Sequence, residues 1–203
     1  MKRIFLVSII IIALFLNNKV YAEDIKDISV NKIYINNEDV TDKYVNEVET
    51  QLKQFGKQSL RDLFKDSNSV VIEYRDTEII ESMQSRDYAF KTAKNIVYHR
   101  EKSYGPQIKE LEWDNTIIGS YTVDTKNQKV ISAKNPTMKI DLYSGNMSYT
   151  TPYENLNYII SSDGKSVTFY ATYELSVTNT YKFLNFRYDF FRITDTASGG
   201  IYH

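Results

Sequence analysis

Between Val167 and Val177 every odd position is apolar (Val167, Phe169, Ala171, Tyr173, Leu175, Val177), while the even positions read Ser166, Thr168, Tyr170, Thr172, Glu174, Ser176 and Thr178. A period of two places these sets on opposite faces of an extended chain, so the segment is a strand with one face in a core and one in water. Leu156, Tyr158 and Ile160 are apolar at even positions, and Asp163-Gly164 lies between the two runs. With that dipeptide at a hairpin tip, Ile160 falls opposite Val167, Tyr158 opposite Phe169 and Leu156 opposite Ala171. Both strands then turn their apolar sides the same way. The apolar row resumes at Leu184, Phe186, Tyr188 and Phe190 and changes parity to Phe191 and Ile193, which a β-bulge accommodates. Residues 195 to 203 (DTASGGIYH) read as a loose tail.

Upstream, β patterning extends back to about Ile108. Leu111 and Trp113 alternate with Glu110, Glu112 and Asp114. Ile117, Tyr121 and Val123 form the next run, with Gly119 in the same row as a bulge or a close backbone approach. Short strands follow at Lys129 to Ala133 and at Met138, Ile140 and Leu142, and another begins at Met147 and Tyr149. Nearer the start, SVVIEY (69 to 74) and NIVYHREKSY (95 to 104) read as extended, and 76 to 91 reads as irregular. Residues 28 to 35 form a short edge strand with a parity slip between Val30 and Ile33. From Thr41 the period changes: Tyr44, Val45, Val48, Leu52 and Phe55 recur at three and four, with Thr41 as N-cap and Gly56 as a stop or a weak point. Leu60, Leu63 and Phe64 continue that stripe, so one helix or a pair covers 41 to 66.

The expected fold is α+β: an N-terminal helical region packed on a mainly antiparallel β-sheet curled into a barrel or folded into a sandwich. Lys2 and Arg3, an apolar run from Ile4 to Leu16 broken only by Ser8, and Val20-Tyr21-Ala22 make the three parts of a secretory signal peptide. Cleavage after Ala22 leaves 23 to 194 as a single domain followed by the tail. No second apolar stretch follows, so no membrane span is expected after cleavage. The absence of cysteine excludes a disulfide framework, a thiolate metal site and a cysteine nucleophile. The mature chain carries 22 basic against 26 acidic residues, and a net charge of −4 disfavours nucleic acid and anionic membranes as partners.

Motifs for chemistry are sparse. Gly164-Lys165-Ser166 resembles the end of a phosphate loop, but Ile159 stands where its first glycine belongs and a strand follows instead of a helix. His99 and His203 are the two histidines, without a zinc-ligand spacing or a G-x-S-x-G elbow, so His99 reads as an exposed or hydrogen-bonded strand residue. Glu110, Glu112 and Asp114 share one strand face. Such a row suits calcium, or, with a partner acid elsewhere, the acid and base work of a small glycan-acting hydrolase in which Glu110 and Glu112 are first in line. The competing reading is a solvated face balanced by Lys102 and Lys109. No cofactor is expected.

Seventeen tyrosines are the compositional anomaly. Tyr143, Tyr153 and Tyr170 fall outside the core pattern, where aromatic rings stack on sugars or anchor a protein partner. For Tyr170 the alternative is a place beneath the 41 to 66 helix. Over 117 to 193 the chain resembles small exported proteins of Gram-positive bacteria without assigned activity, through GSYTVDTKNQKVISAKNPT and DGKSVTFYATY. That likeness is a rhythm of strands and turns and brings no site residue. The expectation is a secreted, non-catalytic, β-rich binding protein acting on an extracellular protein or cell-envelope glycan. An inhibitor or toxin-neutralising protein has the same signature, and the carboxylate hydrolase is the alternative.

Overall fold

The structure, a computed structural model, describes residues 28–76, 87–102, 110–143, 147–181 and 184–201. The leader assigned to 1–22 lies outside them, as do 77–86, Lys109 and His203. In chain order the elements are β1 (Ile28–Ile35), β2 (Glu38–Asp39), α1 (Thr41–Phe55), α2 (Gln58–Leu63), β3 (Ser69–Asp76), β4 (Tyr88–Glu101) and β5 (Leu111–Asp124). Then come β6 (Lys129–Ala133), β7 (Thr137–Leu142), β8 (Met147–Ile160), β9 (Ser166–Tyr181) and β10 (Leu184–Gly200). The described residues are thus mostly antiparallel β-sheet with two short helices.

One sheet runs β2-β1-β3-β4-β5-β6, with β7 also paired to β5, and the second runs β10-β9-β8. Neither closes, which corrects the barrel alternative. At one edge of the larger sheet stands the two-residue β2 and at the other the five-residue β6, too little backbone to complete a ring.

The hairpin register is the one its apolar pattern demands: Ile160 pairs with Val167, Tyr158 with Phe169 and Leu156 with Ala171. The parity change in β10 is a bulge between Phe190 and Ile193, and the slip in β1 is a register shift between Val30 and Lys32. Between the sheets, Ala89 and Ala93 of β4, Ile117, Tyr121 and Val123 of β5 and Val130 of β6 meet Val167, Phe169, Ala171 and Ala197. Beside them Leu111, Trp113 and Ile140 meet Tyr173, Leu175 and Val177. Each large side chain buried this way contributes about 1.5–3 kcal/mol. Gly119 is a close approach: a Cβ there would lie 2.4 Å from the Phe169 ring. On the other face of the larger sheet, Val48, Leu52, Leu60 and Phe64 cluster with Val30, Ile33, Val70, Ile72, Tyr74, Ile96 and Tyr98.

Three local readings change. Residues 195 to 200 are strand, not tail: Asp195 pairs with Ala171 and the ladder runs on to Gly200 opposite Ser166. The stretch pairs because Asp195, Ala197 and Gly199 keep the inward parity begun at Ile193, and Ala197 is in the core. Thr41 is the first helical residue and does not cap, since its hydroxyl accepts from the Ile33 N–H and donates to Asp39. Gly56, at φ +70°, does stop the first helix as its position suggests, and the second member of the pair follows. The third change is β4, which reaches back to Tyr88, inside the segment read as irregular, whereas β1 meets β2 only at Tyr34 and Ile35.

Candidate functional site

Two members of the carboxylate row are buried, not solvated, and Glu110 is partly exposed. Asp114 is 0 % exposed and Glu112 is 5 % exposed, on the face of β5 turned toward the helices. Arg61 of α2 grips Glu112 through two parallel bonds, Nε to Oε1 at 2.9 Å and Nη2 to Oε2 at 2.6 Å, the bidentate form that makes such pairs strong. That carboxylate keeps the Arg61 guanidinium firmly charged. Asp114 Oδ2 receives Lys57 Nζ and the Tyr143 hydroxyl, the latter at 2.6 Å. Buried Arg100 reaches Glu110 with Nε and donates Nη1 to the Phe64 carbonyl at 2.7 Å, closing the C-terminal end of α2. Among the described residues, the cations on this row come from the helical region and from β4, whereas the strand pattern implied Lys102 and Lys109, the latter outside those residues.

Arg61 and Lys57 give the helices a polar attachment to β5, which fixes their position beyond what apolar contact specifies. Tyr143 belongs to this attachment. Burial and the Asp114 charge push its phenol upward, so it stays a donor. The three carboxylates each face a protein cation, and among the described residues no group of three metal-ligating side chains converges. The calcium reading thus has no assembled site among them.

His99 is likewise not exposed. It lies between the two sheets, its ring stacked on Trp113 at 4.7 Å and 7°. Nε2 is 3.1 Å from both oxygens of Asp195, and that carboxylate also accepts from Asn115 Nδ2 and the Tyr173 hydroxyl, each at 2.9 Å. Trp113 Nε1 in turn donates to the Tyr173 oxygen at 3.1 Å. Burial first, and then the Asp195 charge, drives the Tyr173 phenol upward and keeps it protonated. Side chains from β4, β5 and β9 therefore meet one buried carboxyl group on β10. Read as part of a tail, Asp195 escaped notice. The signal that would have found it is the parity shared by Ile193, Asp195 and Ala197.

Asp195 begins a second set of bonds between the sheets. Asn95 Nδ2 donates to the Thr196 carbonyl at 2.7 Å, Arg75 Nη2 to that of Ser198 at 2.9 Å and Tyr121 Oη to that of Gly200 at 3.1 Å. Side chains of the larger sheet thus occupy alternate carbonyls along the free edge of β10, where an unpaired edge invites other strands.

The outer face of the smaller sheet has a different character. Tyr170 stands at its centre, in one cross-strand row with Asn157 and Thr196, and half-buried by its neighbours. Among the described residues no helix covers it, which corrects the alternative that placed it beneath residues 41 to 66: those helices pack with β1, β3 and β4 of the other sheet. The rows on either side are Ile159, Thr168 and Ser198, and Asn155, Thr172 and Thr194. A bond of 3.0 Å joins the Thr172 and Thr194 hydroxyls across the last.

Next along, Tyr153 pairs with Glu174, and Arg192 lies 4.8 Å from the Tyr153 ring centroid and 3.6 Å from Glu174. Both outer strands shift register at this level, β8 between Thr150 and Tyr153 and β10 between Phe190 and Ile193. A shallow recess opens beside these shifts, lined in part by Glu174, Arg187 and Asp189. Of the three tyrosines singled out, Tyr153 and Tyr170 share this face, and Tyr143 lies across the molecule on Asp114.

No family model matches the chain, and neither does any curated protein or solved structure. No helix among the described residues is long and apolar enough to cross a membrane.

Proposed function

We propose that the protein is a secreted, non-catalytic binding module that works outside the cell or at its surface, and that the outer face of the β8–β9–β10 sheet is its contact surface. The observation that carries this reading is the continuity of that face: Tyr153 and Tyr170 are set among Asn, Ser and Thr side chains, without a covering element among the described residues. Rings held on rigid strands give contact area at low entropic cost. The carboxylates that a hydrolase would use are instead committed to Arg61, Arg100 and Lys57, and His99 is committed to Asp195. Those commitments favour a structural role for the groups with acid and base chemistry.

The test is retention of residues 23–203 on cell envelopes and on immobilised extracellular protein, compared with a Tyr153→Ala/Tyr170→Ala variant of equal thermal stability. Retention that the double variant loses supports the reading. A chain that stays free in both assays, or that hydrolyses wall polymer with Glu112 as an essential residue, refutes it.

A further inference from the structure

We infer that the outer face of the three-stranded sheet binds a neutral polysaccharide laid along its strands, with Tyr170 stacking under a sugar ring. The inference rests on the binding reading above and narrows the partner to one class. Its first support is charge. The ionic side chains on this face are paired with one another, Glu174 with Arg192 at 3.6 Å and Arg187 with Asp189 at 2.8 Å. An acidic or basic partner would meet little uncompensated charge, so electrostatic complementarity favours a ligand without charge.

The second support is donor and acceptor content. The outward side chains of β9 open to solvent are Ser166, Thr168, Tyr170, Thr172, Glu174, Thr178 and Thr180, all but one bearing a hydroxyl, with Ser176 buried in the same row. Asn155 and Asn157 on β8 and Thr194, Thr196 and Ser198 on β10 flank them. Hydroxyls and amides donate and accept together, as a polyhydroxyl ligand requires. Apolar area is small here, Ile159 being the exposed large apolar side chain of the face, so a protein partner has little to bury.

Geometry sets the direction. Outward side chains repeat about every 6.6–6.8 Å along a strand, so residues 153 to 159 span about 20 Å, long enough for several sugar rings in file. Tyr170 lies within that length, and the Tyr153–Arg192 stack stands at one end beside the recess at the two register shifts. A chain placed along β9 would meet Tyr170 as a platform, hydroxyls and amides to both sides, and an aromatic stop.

The experiment is co-sedimentation of residues 23–203 with insoluble cellulose, chitin, mannan and starch, with alginate as an acidic comparison, at low and high salt. Protease-treated and untreated cell envelopes run in parallel. Binding to at least one neutral polysaccharide, unchanged by salt, is expected. Tyr170→Ala should weaken it about tenfold or more, whereas Tyr170→Phe, which keeps the ring, should stay within about threefold. Unchanged melting temperatures exclude misfolding, and Asn157→Ala serves as a second variant if Tyr170→Ala is unstable. Four outcomes overturn the inference: no neutral polysaccharide binds, alginate alone binds and salt releases it, the Tyr170 and Asn157 variants bind like the parent, or envelopes bind only before protease treatment. The last leaves the binding reading standing with a protein partner. No retention on polysaccharide, envelope or protein sinks both.

Discussion

Gly119→Ala tests the contact between the two sheets most directly. Gly119 sits in β5 opposite Ala93, has no left-handed backbone, and would place a Cβ 2.4 Å from the Cγ of Phe169. Carbon atoms rest at about 3.5–4.0 Å, so the ring has to withdraw by about 1 Å. Phe169 is 0 % exposed and is flanked by Tyr121 and Tyr158, each 6.3 Å away between ring centroids, which leaves little room to withdraw into. Overpacking of this kind costs about 1–3 kcal/mol, against which the smaller unfolded-state entropy of alanine returns about 0.4–1 kcal/mol. The net loss of about 1–2 kcal/mol should lower Tm by about 2–8 °C in a chain of this size.

Thermal and urea unfolding followed by circular dichroism measure this loss, with the urea slope unchanged. Combining Gly119→Ala with Phe169→Leu should recover part of it, as a favourable coupling of about 1 kcal/mol in the double-mutant cycle. A Gly119→Ala protein as stable as the parent, or strict additivity with Phe169→Leu, would show that the ring does not rest on Gly119 and would remove the basis for the sheet packing.

Two further outcomes are expected. Ending the chain at Thr194 deletes Asp195, Ala197 and the carbonyls that receive Asn95, Arg75 and Tyr121. Buried donors left unpaired cost about 1–3 kcal/mol each, so cooperative unfolding in calorimetry should disappear, whereas removal of a loose tail would leave it intact. Glu73 gives a pH signature: burial first, and then the Asp195 charge, raises its carboxyl above the ordinary value. The folded state then holds its proton to higher pH than the unfolded state does, so stability is present below the ordinary carboxyl pKa and falls as pH rises through the raised one. Glu73→Gln should flatten that decline in a Tm-versus-pH series, and an identical profile for both proteins contradicts it.

Much of the strand content was readable because a period of two is a local property. The hairpin register around Asp163-Gly164, the Phe190 bulge and the Val30 slip all follow from parity, and each is where the parity puts it. The readings that changed are those that depend on what lies across the molecule. Glu110, Glu112 and Asp114 look the same in sequence whether water or a guanidinium faces them, and the arginine that decides the matter for Glu112 is 51 residues away. His99 and Asp195 are separated by 96 residues. Tyr143, Tyr153 and Tyr170 were chosen by one rule, yet Tyr143 serves an ion pair and the other two share an open face.

By itself the amino-acid sequence determined that this protein is built of antiparallel strands with two-sided character, without cysteine and with few groups suited to catalysis, because alternation and composition act over neighbouring residues. Only the tertiary structure decided that the sheets remain open, that the helices take the carboxylate side, and that Asp195 joins the layers. Alternation tells which face of a strand turns inward, but charge pairing and the element that covers each face belong to surfaces brought together from distant segments, which no local pattern carries.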